Sequence, residues 1–96
     1  MSPDKFKKLV KLREKLDKLD SSLIKIIKKR TNLVNEVLKL KEYKNQIIDN
    51  KRIKIILKEI KKKSIKNKID PEITKRIWIN MIRAYIDYEK RNFKKK

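Results

Sequence analysis

Two cationic side chains, Arg30 and Lys41, stand out because they lie on an otherwise apolar helical face. They are 11 residues apart, so in a helix they point within about 20° of each other, about 16 Å apart along the axis. Val34 and Val37 lie between them. Burying a cation without a partner is costly, and no acid on that face can neutralise both. Either other helices supply carboxylates, or the two cations bind a small anionic ligand.

Each cation also has a simpler structural interpretation. Arg30 could form an ion pair with Asp49 or with an acid of a partner chain, and Lys41 could be an exposed lysine favoured by the helix dipole. Arg13 lies 17 residues before Arg30, about 25 Å along the helix and about 100° around it. It cannot join Arg30 within one straight chain, but it could do so from an antiparallel partner.

The element that must position these cations is a long amphipathic helix, predicted from Asp4 to about Tyr43. Its apolar residues recur at alternating spacings of three and four; they are Leu9, Leu12, Leu16, Leu19, Leu23, Ile26, Leu33, Val37 and Leu40. Such a helix spans roughly 58 Å, whereas a compact chain of this length has a radius of gyration of about 13 Å. The chain cannot cover the helix by itself, so the sequence predicts a partner.

Two further helices follow a short polar break, which makes the predicted fold all-α with three helices. Helix 2 is predicted over about 50–63, after an N-cap at Asp49 or Asn50, and the basic segment beyond it as a fraying end and a loop. Helix 3 is predicted over about 71–91. Its start signal is Asp70-Pro71, because Asp caps a helix and Pro suits its first position.

Composition limits the available chemistry. Residues 1–96 form one predicted domain without Cys or His, which excludes disulfides, a thiolate nucleophile, a His base and the usual zinc sites. No cofactor is expected. No stretch approaches 18 uncharged apolar residues and no signal peptide is recognised, so we expect a cytoplasmic protein without a membrane span. The formal net charge of +19 fits a nucleic-acid binder, but the dispersed lysines favour a compositional bias instead.

An ordered series of residues runs along the whole chain. It opens with Leu12-Arg13-Glu14-Lys15-Leu16-Asp17-Lys18-Leu19-Asp20, followed by an apolar run and then by Arg30, Lys41, Asp49, Arg52, Asp70-Pro71 and Glu89. The series resembles the all-helical (type II) chorismate mutase family, in which the opening reads L-R-x-x-I-D-x-[IL]-D. Each motif is weak alone, and the consistent spacing of the set carries the resemblance.

The resemblance implies both an assembly and a reaction. Family members are intertwined homodimers with paired first helices, and they rearrange chorismate to prephenate in aromatic amino-acid biosynthesis without a nucleophile or base. By resemblance, Arg30 and Arg13 of the partner subunit grip the substrate carboxylates through forked hydrogen bonds. Lys41 donates to the ether oxygen, and Glu89, which must be protonated to donate, faces it from the other side.

Some positions resemble a second branch of the family, the isochorismate-pyruvate lyases, which form salicylate. Asp49 and Arg52 would border the ring hydroxyl and the carboxylates, but Ile53 follows where mutases carry Glu. Tyr85 replaces a small residue of helix 3, and the loop before Arg52 is one residue shorter. Asp49, and Glu89 in place of an amide, point back to the mutases. The sequence therefore predicts a chorismate mutase, with the lyase as the alternative.

Two non-enzymatic interpretations compete with this prediction. A basic helical dimer that binds nucleic acid predicts binding that falls steeply with salt and no special cost of the substitution Arg30→Lys. The aromatic residues show no clustered stacking pattern, so a nucleic-acid partner is not favoured. A pure coiled-coil scaffold gains nothing from a cation such as Arg30 in its apolar seam.

Overall fold

The computed structural model describes residues 1–94, and its regular structure over that range is entirely helical. Three α-helices are present: α1 (Pro3–Leu40), α2 (Asn50–Lys66) and α3 (Pro71–Asn92), with a short 3-10 helix (Lys44–Gln46) between α1 and α2. No strand occurs in the described range. The predicted all-α class with a long first helix is confirmed, whereas the homodimer stays a prediction.

The chain divides into two compact units, Met1–Val34 and Asn35–Lys96. The first unit consists of most of α1, which begins after Ser2: the Ser2 hydroxyl accepts a hydrogen bond from the Lys5 backbone N–H at 3.3 Å. Its apolar seam is exposed in the single chain, with exposed fractions of 53–66% for Leu12, Leu16, Leu19, Leu23 and Ile26. Such a continuous exposed seam supports the predicted need for a partner.

α1 ends at Leu40, three residues before the predicted end near Tyr43. The Lys41 backbone N–H still bonds to the Leu38 carbonyl at 3.1 Å. Beyond it, the Gln46 side-chain oxygen accepts hydrogen bonds from the backbone N–H groups of Glu42 and Tyr43, at 2.7 and 2.9 Å. A side chain from the following 3-10 helix thus satisfies donors that a longer helix would have used, and the chain turns early.

α2 continues to Lys66, three residues beyond the predicted end at 63. It closes in a Schellman motif: the Ile69 N–H bonds to the Ser64 carbonyl at 2.9 Å, and the Lys68 N–H bonds to the Ile65 carbonyl at 3.1 Å. The motif needs one residue in the left-handed region, and Lys68 supplies it with a φ of 57°. Because the chain lacks Gly, the usual sequence signal for this helix end is missing.

The two later helices begin where their capping signals predicted. The Asp49 carboxylate accepts a hydrogen bond from the Arg52 backbone N–H at 3.0 Å, and the Asp70 carboxylate accepts one from the Glu72 N–H at 2.9 Å. α2 and α3 pack against each other. A 2.6 Å hydrogen bond between the Ser64 and Thr74 hydroxyls joins them, and Ser64 is buried. This hairpin positions the last turns of α3, where Glu89 lies.

Candidate active site

The Lys41 ammonium and the Glu89 carboxylate form a shielded ion pair within the unit Asn35–Lys96. Lys41 Nζ donates to Glu89 Oε1 at 2.9 Å, across 48 residues of sequence, and the two side chains are only 19% and 10% exposed. By contrast, the pair of Lys39 with Glu36 spans 3.6 Å between side chains that are 73% and 69% exposed. The Lys41–Glu89 pair is therefore a partly buried tertiary ion pair, unlike the exposed pair within α1.

Local structure explains how each member of the pair is held. Lys41 directly follows the last turn of α1, and its backbone N–H bonds to the carbonyl of Leu38, a buried residue. Glu89 lies near the end of α3 and is itself buried. Next to it, the Tyr88 hydroxyl donates to Asn35 Oδ1 at 2.8 Å, which ties α3 to the end of α1.

A crevice of about 450 Å³ opens beside Lys41. Its lining, which defines the Lys41 crevice, consists of Lys41, Gln46, Ile48, Asp49, Asn50 and Lys51. The volume suits a small ligand. The structure thus brings the predicted site residues Lys41 and Asp49 to one crevice. Asp49 has a second task there, because its carboxylate caps α2.

The remaining predicted residues of this unit lie on α2 and α3. Arg52 is exposed and Ile53 half-buried in the first turn of α2. Tyr85 is half-buried, one turn before Glu89, and its ring packs edge-on against Tyr88 with centroids 6.4 Å apart and an interplanar angle of 83°. Ile53 and Tyr85 are thus both partly shielded from solvent.

Arg13 and Arg30 belong to the other unit, Met1–Val34. Within it Arg13 is exposed, whereas Arg30 is half-buried on α1. Their predicted role beside a bound dicarboxylate stays a prediction.

The described residues were also searched for a metal-binding cluster and for a membrane-spanning helix. Residues 1–94 hold no cluster of three or more His, Cys, Asp or Glu side chains that could bind a metal ion. No helix within this range is long and apolar enough to cross a membrane. The chemistry that the Lys41–Glu89 pair can support is hydrogen-bond donation and charge stabilisation in a shielded place.

Comparison with known proteins shows the family of the chain. A family model described as chorismate mutase type II matches residues 12–90. The chain belongs to the chorismate mutase type II family. The search of curated proteins and the search of solved structures each returned no match. The matched range runs from just before Arg13 to just after Glu89, so it includes every predicted site residue.

For a chorismate mutase type II chain, the geometry adds two things that sequence reasoning missed. First, Lys41 and Glu89 contact each other directly, whereas the resemblance had placed them on opposite sides of a substrate oxygen. Second, Asn35 and Tyr88 contact each other next to the pair. No sequence pattern predicted the contact between Asn35 and Tyr88, because a polar residue on a helix and an aromatic residue among packing residues occur in any helical protein.

Proposed function

We propose that this protein is a chorismate mutase that rearranges chorismate to prephenate in aromatic amino-acid biosynthesis. The observation that carries the proposal is the shielded Lys41–Glu89 pair, 2.9 Å apart, in a chain that the chorismate mutase type II model matches over residues 12–90. A cytoplasmic location is part of the proposal, because the enzyme would act on a soluble metabolite and the chain has no cysteine to oxidise.

The reaction is a concerted rearrangement, so the protein must hold the compact conformer of the substrate and stabilise charge on its ether oxygen. A lysine ammonium has three N–H donors. In the proposed mechanism one of them keeps its bond to Glu89 while another donates to the ether oxygen. Glu89 is assigned to the other side of that oxygen, where its carboxyl group keeps the Lys41 ammonium in place. No nucleophile or general base is required, which suits a chain without His and Cys.

The substrate carboxylates need cationic partners with forked geometry. We assign Arg30 to one carboxylate and Arg13 of the partner subunit to the other, since a guanidinium binds a carboxylate through two parallel hydrogen bonds. This assignment requires a homodimer. The exposed apolar seam of α1 supports it, because Leu16, Leu19 and Leu23 are more than half exposed in the single chain.

The ring end of the substrate would contact Asp49, Arg52, Ile53 and Tyr85. Ile53 and Tyr85, both half-buried, favour a second candidate, an isochorismate-pyruvate lyase. Ile53 cannot replace a carboxylate contact to a ring hydroxyl, and Tyr85 stands in place of a small residue. The non-enzymatic candidate is a helical dimer that binds nucleic acid through its +19 charge. One set of measurements distinguishes the mutase from the lyase and from the nucleic-acid-binding dimer.

The deciding experiment is a paired ultraviolet assay with chorismate in one reaction and isochorismate in the other. Prephenate from chorismate, with little product from isochorismate, is the expected result. Faster release of pyruvate and salicylate from isochorismate would identify a lyase. No product from either substrate would reject both enzymes, and salt-dependent binding to nucleic acid would then be the function to measure.

Two matched variants test whether the pair carries the activity. Lys41→Met removes the ammonium from the shielded pair, and Lys39→Met makes the same chemical change two residues away on an exposed side chain. Loss of one donor to a developing oxyanion typically lowers kcat by about 100-fold or more. We expect that loss for Lys41→Met, with Lys39→Met close to wild type. Equal activity of the two variants would remove Lys41 from the mechanism.

A further inference from the structure

The hydrogen bond between the Tyr88 hydroxyl and Asn35 has no role in the mechanism above. Tyr88 Oη donates to Asn35 Oδ1 at 2.8 Å, both residues are half-buried, and 53 residues separate them in sequence. Tyr88 is the residue directly before Glu89. Asn35 lies on α1, six residues before Lys41. The Tyr88–Asn35 bond and the Lys41–Glu89 pair therefore join the same two segments of the chain.

The two contacts act on α3 from different directions. Consecutive residues of an α-helix are about 100° apart around its axis, so the Tyr88 and Glu89 side chains leave α3 on different sides. Both end on the segment 35–41, which comprises the end of α1 and the residue after it. The packing against α2 and the Ser64–Thr74 hydrogen bond already restrain α3, and the contacts with the segment 35–41 further restrain its rotation about the helix axis. Two contacts a quarter turn apart fix that rotation, and with it the position of the Glu89 carboxylate against Lys41.

Tyr88 also supports a second residue of the proposed site. Its ring meets the Tyr85 ring edge-on, with centroids 6.4 Å apart, and the two residues are three positions apart on α3. Edge-to-face pairs of this kind are favourable beyond the area that they bury. The orientation of Tyr85 is therefore linked to that of Tyr88, and Tyr88 is in turn held by Asn35.

Tyr88 does not line the Lys41 crevice. It lines a different crevice of about 410 Å³, which is bounded by Asn35, Leu38, Lys39, Tyr88, Asn92, Phe93 and Lys94 and shares no lining residue with the Lys41 crevice. The Tyr88 hydroxyl is bonded to Asn35 and lies at this second crevice, so we do not assign it to the substrate. Any influence of that hydroxyl on the reaction must therefore pass through its neighbours.

We propose that Tyr88 is a positioning residue, whose bond to Asn35 holds Glu89 against Lys41 and whose ring orients Tyr85. Its catalytic consequence rests on the proposed function, whereas its effect on the Lys41–Glu89 pair does not. The substitution Tyr88→Phe removes the hydroxyl and keeps the ring. The substitution Asn35→Leu removes the acceptor, and Asn35→Asp keeps one.

Kinetic measurements on these variants test the catalytic consequence. Loss of one neutral hydrogen bond that fixes the pair should lower kcat by about threefold to tenfold. KM should stay within about twofold, because the hydroxyl does not contact substrate. We expect this result for Tyr88→Phe, for Asn35→Leu and for the double variant, whose loss should not exceed that of either single variant because the bond is shared. Asn35→Asp should retain near wild-type kcat.

A matched control separates this effect from a general tyrosine effect. Tyr43→Phe makes the same change on an exposed ring and should leave kcat unchanged. A wild-type kcat in Tyr88→Phe, in an enzyme that is otherwise active on chorismate, would overturn the catalytic part of the inference and leave the proposed function intact. An increase in KM alone would also overturn it, since it would place the hydroxyl on the substrate.

A second measurement needs no enzymatic activity. The coupling between Lys41 and Glu89 is measured by urea unfolding of Lys41→Met, Glu89→Gln and the double variant, at one fixed protein concentration. The same cycle is then repeated in the Tyr88→Phe background. We expect the coupling energy between Lys41 and Glu89 to fall by at least half. A carboxylate that is no longer held in place lies farther from the lysine on average, so the two charges attract each other less. Unchanged coupling would overturn the positioning role, even in a protein that converts neither substrate.

Discussion

Replacement of Lys41 by Met tests whether the Lys41–Glu89 pair stabilises the fold. The Nζ and Oε1 atoms are 2.9 Å apart. At an effective dielectric constant of about 20, two unit charges at that distance attract by about 6 kcal/mol, and the cost of removing both charges from water offsets most of this energy. The net contribution of the intact pair is therefore small, but removal of one member has a larger effect.

In the Lys41→Met variant the Glu89 carboxylate keeps its shielded position and loses its cation. Breaking a buried ion pair in this way typically costs about 3–5 kcal/mol. Because the Lys41 and Glu89 side chains are 19% and 10% exposed to solvent, water can replace part of the lost interaction. We therefore expect the free energy of unfolding to fall by about 2–3 kcal/mol, just below the range for fully buried pairs.

The chain supplies its own control at Lys39, whose ion pair with Glu36 is 3.6 Å long and more than two-thirds exposed on both sides. Exposed pairs three or four residues apart on a helix contribute about 0.2–0.5 kcal/mol, so Lys39→Met should change the free energy of unfolding by no more than about 0.5 kcal/mol. Both variants are unfolded in urea at equal protein concentration and followed by far-ultraviolet circular dichroism. Equal destabilisation of the two variants would refute the reasoning, because it would show that solvent screens both pairs alike.

Three further predictions concern the activity and a helix end. Arg30→Lys should lower kcat/KM by about 100-fold or more in the mutase assay while the helical circular dichroism is kept, because an ammonium cannot form the forked contact; an equal loss in the exposed control Arg76→Lys would contradict this. Glu89→Leu should lower kcat by about tenfold or more, whereas Glu89→Gln should retain most of it, because an amide oxygen can still accept the hydrogen bond of Lys41; equal kcat in the two variants would argue against the proposed role of Glu89. Lys68→Gly should raise the free energy of unfolding in urea by up to about 1 kcal/mol, because Gly adopts a positive φ without strain. The control Lys58→Gly, on the exposed side of α2 and inside the helix, should lower it by about 1 kcal/mol. Destabilisation in both variants would be inconsistent with strain at Lys68.

Signals within a few residues determined the helix starts. Asp49 and Asp70 accept hydrogen bonds from backbone N–H groups of the first turns of α2 and α3, and Pro71 occupies the first position of α3. A cap of this kind acts over three or four residues, so its residue types alone reveal it. The apolar spacing of α1 is equally local, and together with the ordered residues from Arg13 to Glu89 it identified the family from the sequence.

The structure revealed two helix ends that lack the usual sequence signals, and tertiary packing decided the contacts of the site. α1 ends at Leu40 because the Gln46 side chain satisfies the donors that follow, and α2 continues to Lys66 because Lys68 takes a left-handed conformation without Gly. The Lys41–Glu89 contact joins residues 48 positions apart. No periodicity can report such a contact, since it depends on where α3 lies against the end of α1. The sequence determined which residues are present for the chemistry, and packing alone determined that Glu89 is shielded and within 2.9 Å of Lys41.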